Sequence, residues 1–169
     1  MAARKSPLAV LFVLTFAALS LAACAGQGPS PDIVIDKSAS WHELAAAKEL
    51  RRYFYIRTGG LPIMEKLSSL TAIRRTSVIV AQKGASILDG LSDPDAVQKI
   101  AGLGAQDYLL KTVPVLSRKL ILVVGGSGPA ALYGAYQLAE KLGVRFYLEG
   151  DVVPDNRLAS VDFEIDDIG

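Results

Sequence analysis

KLILVVGGSGPAALYGAYQLAEKLGVRFY, residues 119–147, holds a complete strand–turn–helix–strand unit. Lys119–Val124 is the most apolar strand candidate of the chain, and Gly125-Gly126-Ser127-Gly128 breaks it. A long helix is predicted from Pro129 to Leu142. Leu132, Ala135, Ala139 and Leu142 recur along one stripe of it, while Gln137, Glu140 and Lys141 face away. Gly143 ends the helix, and Arg145–Leu148 resumes as a short strand.

Upstream, Asp107–Thr112 alternates weakly. Val113-Pro114-Val115-Leu116-Ser117-Arg118 separates it from the apolar strand as a hairpin connection would, so these neighbours are expected to be antiparallel within a mixed sheet. Asp32–Asp36 and Ser77–Ala81 are β-branched runs that read as further buried strands. Between them lies the strongest helix signal. Ser40 caps it with Glu43 three residues on, and Trp41, Leu44, Ala47, Leu50 and Phe54 form one apolar face away from Lys48, Arg51 and Arg52. Thr58-Gly59-Gly60 stops that helix, with Gly as the left-handed cap. Leu61-Pro62-Ile63 restarts the chain as an edge strand, since Pro62 has no N–H for a ladder. Asp93-Pro94-Asp95 opens a short helix that ends near Ile100, at Gly102 or Gly104. After the quoted unit, Gly150–Asn156 is rich in turn residues. Val161, Phe163 and Ile165 then alternate with Asp162, Glu164 and Asp166, predicting a final half-exposed strand.

The first 23 residues read as an address. Arg4 and Lys5 form a positive start, and Leu8–Leu21 is uncharged and too short for the ~20 apolar residues of a spanning helix. The run ends in Leu21-Ala22-Ala23-Cys24-Ala25-Gly26, either a bacterial lipobox with Cys24 as the lipidated residue or an ordinary cleavage site beside an incidental Cys. Cys24 is the only cysteine and stands where a lipobox requires it, which favours the first. Residues 24–31 are a Gly- and Pro-containing tether, and 32–165 are the expected domain. The protein is thus expected in the bacterial envelope, touching the membrane only through a lipid anchor.

With 18 Lys and Arg against 17 Asp and Glu, and 51% apolar residues, the chain is an ordered domain. Removing residues 1–23 takes away two positive charges and no acid. Nothing in the net charge then argues for a nucleic-acid partner or an anionic membrane surface. A single Cys excludes an internal disulfide or multi-Cys metal site, and the single His42 begins no H-E-x-x-H, because position 46 is Ala.

The glycine segment has two readings. Gly126-x-Gly128-x-x-Ala131 between strand and helix, with Glu149 and Asp151 about 20 residues on, fits a dinucleotide fingerprint in a nucleotide- or flavin-binding oxidoreductase fragment. Against it stand the hairpin-connected neighbours and the few residues left for further parallel strands. A plain strand-to-helix turn is the other reading, and no cofactor is then expected.

The order of segments carries a resemblance. Thr58-Gly59-Gly60-Leu61-Pro62-Ile63, the Val-Ile-Val strand, Asp107-Tyr108, Leu120–Gly126, Leu132-Tyr133-Gly134-Ala135-Tyr136 and Leu142-Gly143-Val144-Arg145-Phe146-Tyr147 follow one another. This succession, over 32–155, resembles the N-terminal accessory domain that precedes the catalytic barrel in β-N-acetylhexosaminidases, α-glucuronidases and α-N-acetylglucosaminidases. The resemblance implies an α+β fold, a mixed sheet packed with two long helices on one side, in a zincin-like layout without a metal site. It also implies a non-catalytic role in carbohydrate breakdown. A barrel takes ~250 residues, so the 169 residues here leave no room for one.

Chemistry of its own is sparse in the chain. A glycosidase needs two carboxyls ~5–9.5 Å apart, and the acids suggest no such pair. Glu149, Asp151 and Asp155 crowd one loop, where like charges would raise one pKa or simply solvate a turn. No nucleophile elbow is present. The segment Phe146–Asp155 is the expected contact with a barrel or a partner protein, and Tyr147, Glu149, Asp151 and Asp155 are its candidate domain-interface or sugar contacts. Trp41, Tyr133, Tyr136 and Tyr147 could stack on sugar rings, or serve as core and interface packing. A stand-alone envelope lipoprotein that binds a glycan or a protein is the remaining alternative.

Overall fold

A computed structural model describes residues 30–169. The expected signal run, Cys24 and most of the tether lie outside the described residues. Six strands form one sheet: β1 (Asp32–Asp36), β2 (Met64–Leu67), β3 (Ser77–Gln82), β4 (Tyr108–Val115), β5 (Arg118–Gly125) and, last in the chain, β8 (Asp166–Ile168). Their order across the sheet is β2-β1-β3-β5-β4-β8. β2, β1, β3 and β5 are mutually parallel, while β4 is antiparallel to both β5 and β8. Two further strands, β6 (Arg145–Tyr147) and β7 (Gly150–Val152), make a separate small hairpin. The helices are α1 (Trp41–Thr58), α2 (Pro94–Gly102) and α3 (Gly128–Lys141), with 3-10 turns at Leu70–Ala72 and Ser86–Gly90. The fold is mixed α+β.

The central strands are apolar through their middles, at Ile33–Ile35, Val78–Ala81 and Leu120–Val124, because both faces are covered. Ile33, Ile35, Val78, Val80, Ile121 and Val123 point to the face occupied by α1 and α3, against Ala46, Leu50, Phe54, Ala135 and Leu138. Val34, Ile79, Leu120, Leu122 and Val124 point the other way, to Ala96 and Ile100 of α2 and to Leu70, Ile73 and Ile87 of the turns. This corrects the one-sided arrangement of helices. The two long helices share a face, but α2 and both 3-10 turns fill a second core behind the sheet. Ala96 and Ile100 lie four residues apart, enough of a stripe for a short helix to dock.

Local signals fix the helix ends. The Ser40 hydroxyl accepts from the Glu43 amide while the Glu43 carboxylate accepts from the Ser40 amide, a complete capping box. Gly59 closes α1 at φ 77° and Gly143 follows α3 at φ 91°, both in the left-handed region. Asp93 caps α2 through the Ala96 amide, with Pro94 at its first position.

Four segments depart from the sequence reading. Leu61–Ile63 is not a strand; pairing with β1 begins at Met64, one residue after the Ile63 carbonyl accepts from Ile33. The hairpin is tighter than expected, since β4 runs on to Val115 and only Leu116-Ser117 intervenes before β5. Pro114 is tolerated inside β4 because its nitrogen lies on the β8 side, where β8 pairs only with Leu109–Lys111. Gly150–Val152 is strand rather than loop. Val161–Ile165 does alternate, with Phe163 buried, but it makes no ladder; β8 starts at Asp166. There the Thr112 side chain supplements a single backbone bond, from its amide to the Ile165 carbonyl, by donating to the Phe163 carbonyl at 2.9 Å and accepting from the Ile165 amide.

Candidate functional site

In an open α/β sheet, ligand chemistry gathers at the carboxyl ends of the parallel strands. Here Asp36 ends β1, Gln82 ends β3 and Gly125 ends β5. Two buried acids sit in this crevice, and both are occupied by donors of the protein itself. Asp36 accepts from the Ser38 amide and hydroxyl, the Ser86 hydroxyl and the Ile87 amide at 2.6–2.8 Å. Burial alone would push its pKa up, yet these four bonds hold it down at about 2. Glu43 accepts from the Ser40 amide at 2.7 Å and reaches across to the Gln82 amide at 3.0 Å, a bond the helix pattern gave no sign of. Both carboxylates are thus committed to holding the fold.

The glycine turn is filled by the chain. The Gly126 amide donates to the Asp107 carbonyl, Pro129 has no amide hydrogen, and the Ala130 amide is used by Ser127. A methyl group at Gly126 would overlap the Gly104 carbonyl, and one at Gly128 would meet Ser40 and His42. These glycines admit neighbouring backbone and side chains rather than a pyrophosphate. β5 does have a parallel neighbour in β3, so the expectation of antiparallel surroundings held on one side only. Asp151 is bound near the far end of the helices, about 20 Å from the turn by the length of α3. It cannot act as the ribose acid, and the dinucleotide reading falls.

Asp151 belongs to the β6–β7 hairpin. Tyr53 donates to it at 2.9 Å and Arg52 bridges it at 3.0 Å, with the guanidinium also 4.9 Å above the Tyr53 ring. The Tyr53 bond, helped by Arg52, lowers the Asp151 pKa, contrary to the expectation that neighbouring acids would raise one. Burial and the same carboxylate push the Tyr53 hydroxyl up to about 12. Phe146 anchors the hairpin from inside, edge-on to Tyr53 at 5.8 Å and to Tyr136 at 5.0 Å. Arg57, buried, fixes the following loop by donating to the carbonyls of Leu142 at 2.7 Å, Pro154 at 2.8 Å and Asn156.

This braced hairpin displays three large apolar side chains beside the exposed charges of Arg145 and Glu149. Tyr147 is 61% exposed, Leu148 is fully exposed at the turn, and Val152 is exposed beside them. Glu149 and Asp155 are exposed and lie outside the Asp151 knot, so the structure does not gather the three acids into one constellation. The bracing residues Arg52, Tyr53 and Arg57 were missed in the sequence. Tyr53 and Arg57 continue the buried stripe of Ala46 and Leu50 at helical spacing, with Arg52 beside it, and that spacing was their only signal. Trp41 and Tyr133 are exposed rather than packed in a core, and Trp41 stacks on half-buried His42 at 3.6 Å. Trp41 therefore leaves the apolar face assigned to it, while Glu43 in the same turn is buried against the Gln82 amide. Among the described residues no group of three His, Cys, Asp or Glu side chains is placed to hold a metal, and no helix is long and apolar enough to cross a membrane.

No family model and no curated protein matches the chain. Among solved structures it is similar to a GH138 enzyme targeting pectin rhamnogalacturonan II, with 15% identity and a TM-score of 0.37 over 67% of this chain. The chain spans 13% of the length of that enzyme. A likeness of this strength assigns no activity.

Proposed function

We propose that residues 32–165 are the non-catalytic N-terminal domain of an exported, lipid-anchored glycoside hydrolase of the β-N-acetylhexosaminidase or α-glucuronidase kind. In this reading the layout is the zincin-like one of those domains, and a catalytic barrel seats on the β6–β7 hairpin. The reading rests on the ordered Gly-Gly … Leu-Tyr-Gly-Ala-Tyr … Leu-Gly-Val-Arg-Phe-Tyr passage and, above all, on the display of Tyr147, Leu148 and Val152 by a hairpin rigidly held from behind. A rigid apolar display of this kind suits an interface better than a solvated loop. The engaged state of Asp36, Glu43 and Asp151 adds support, since an acid pair for glycoside cleavage would come from the neighbour.

The test is the longer product of the reading frame through codon 169. It should contain βα repeats with paired acids and cleave aryl glycosides. Tyr147→Ser with Leu148→Ser should lower its Tm by roughly 2–4 °C for each kcal/mol of interface lost, and leave the Tm of residues 25–169 unchanged. Cleavage of aryl glycosides by residues 25–169 alone would overturn the reading, as would equal Tm losses in both proteins.

A further inference from the structure

The end of the sheet away from Asp36, Gln82 and Gly125, where the parallel strands begin, carries a second surface. The β4–β5 hairpin projects there, with Leu116 at its tip, 97% exposed. Leu116 has φ 55°, in the left-handed region that two-residue hairpin loops normally give to Gly, Asn or Asp. Strain and full exposure of a large apolar side chain thus coincide at one residue, a combination that points to use. The tip stands between two concavities of about 790 and 520 Å³, and Leu116 and Arg118 line both.

The charges at this end are unequal in availability. Arg75 is bridged to Asp32 at 3.4 Å, and Lys119 is held by Asp162 at 2.7 Å and by Glu164. Arg118 makes no ion pair among the described residues, and its Nε is buried without a hydrogen-bond partner. Nε itself is covered, while the terminal guanidinium nitrogens take no partner among the described residues and are the atoms an anionic oxygen in the larger concavity would meet. Ser30 and Pro31 also line that concavity, so the chain from Cys24 enters the fold here. From Cys24 to Ser30 is at most about 20 Å of extended chain.

We infer that this end is a membrane-facing surface: Leu116 enters the headgroup region of the bilayer and Arg118 takes a phospholipid phosphate. The inference rests on the lipid-anchor part of the proposed function, which holds this end against the bilayer. It adds an orientation that the anchor alone does not supply. Net charge gave no case for membrane contact; the case is local, Arg118 without an ion pair among the described residues beside one exposed apolar tip. A single shallow insertion gives weak, reversible binding that is measurable without the anchor only at millimolar lipid, the concentration used below, and it serves as the second of two membrane signals.

The test uses residues 25–169, which contain both cores and lack the acyl chain. With vesicles of phosphatidylethanolamine and phosphatidylglycerol at 3:1 and millimolar lipid, sedimentation should carry down at least about threefold more protein than without them. Leu116→Ser and Arg118→Ala should each return pelleting to the vesicle-free level with unchanged circular dichroism. Trp41→Ser, exposed at the far end, should pellet like the parent. No vesicle-dependent pelleting, or pelleting equal in all variants, overturns the inference. A rise in Tm with glucuronate in place of pelleting overturns it too, in favour of a soluble anion. Lipidation is read separately, from the mass of the N-terminal peptide of the full chain expressed in bacteria. An unacylated Cys24 removes the anchor reading and is distinguishable from failure of the surface.

Discussion

Asp36 remains charged although it is almost completely buried, because Ser38, Ser86 and Ile87 supply donors on both of its oxygens. A carboxylate held at about 2, against an ordinary 3.8, stabilises the folded state wherever the unfolded chain has lost its proton. Its contribution is complete above pH 4 and disappears as pH falls through about 2. The shift corresponds to about 2 kcal/mol. Asp36→Asn should therefore lower stability by that amount at pH 7. The gap between variant and parent should close from pH 4 toward pH 2 in urea titrations, and parallel curves across that range would refute the assignment. At this scale the sequence said little. Asp36 was legible as the end of a strand, but Ser86 lies 50 residues away in the chain and only the fold brings it close.

The strand-to-helix turn between β5 and α3 shows what could be read at the level of elements and what could not. Gly125 and Gly126 announce a turn in any reading. The spacing cannot say whether glycine is there to admit a phosphate or the protein's own backbone, since both demand the same missing side chain. The structure puts the Gly104 carbonyl against Gly126. Gly126→Ala should consequently cost about 3 kcal/mol, by the overpacking it forces. Gly102→Ala, at the end of α2 with open space around it, should gain up to about 0.5–1 kcal/mol from helix propensity. Chemical denaturation of the two variants distinguishes them, and a tolerated alanine at 126 would mean that the α2–β4 loop yields. The helix starts capped by Ser40 and Asp93 were legible because their signals are local, whereas the Ser127 cap emerged only from the structure. Strand limits were less so. Val161–Ile165 has a strand's alternation, yet its polar groups are met by the side chain and amide of Thr112, which no pattern within the segment reveals.

Across the whole molecule, the segment after the β6–β7 hairpin returns along the sheet and ends as β8, a strand of three residues. Besides the ladder with β4 and the Thr112 hydrogen bonds, two kinds of side-chain contact hold it. One is a set of exposed ion pairs: Lys99 and Lys111 with Asp166, Lys119 with Asp162 and Glu164, and Lys141 with Asp167. The other is Phe163, buried and edge-on to Phe54 at 6.3 Å beneath α1. Exposed pairs contribute ~0–1 kcal/mol each and weaken with salt, whereas deleting a buried phenylalanine costs about 3–5 kcal/mol. The apolar anchor therefore dominates, and the lysines set register more than strength. Phe163→Ala should lower global stability by at least about 3 kcal/mol, and Asp166→Asn by less than about 1 kcal/mol. Raising NaCl to 0.5 M, where the Debye length is only a few ångströms, should speed amide hydrogen exchange at Asp166–Ile168 without moving the urea midpoint. If salt shifted that midpoint as far as the Phe163 substitution does, the charged contacts would be the principal hold on the strand. β4 would then owe its covered edge to electrostatics rather than to a buried ring.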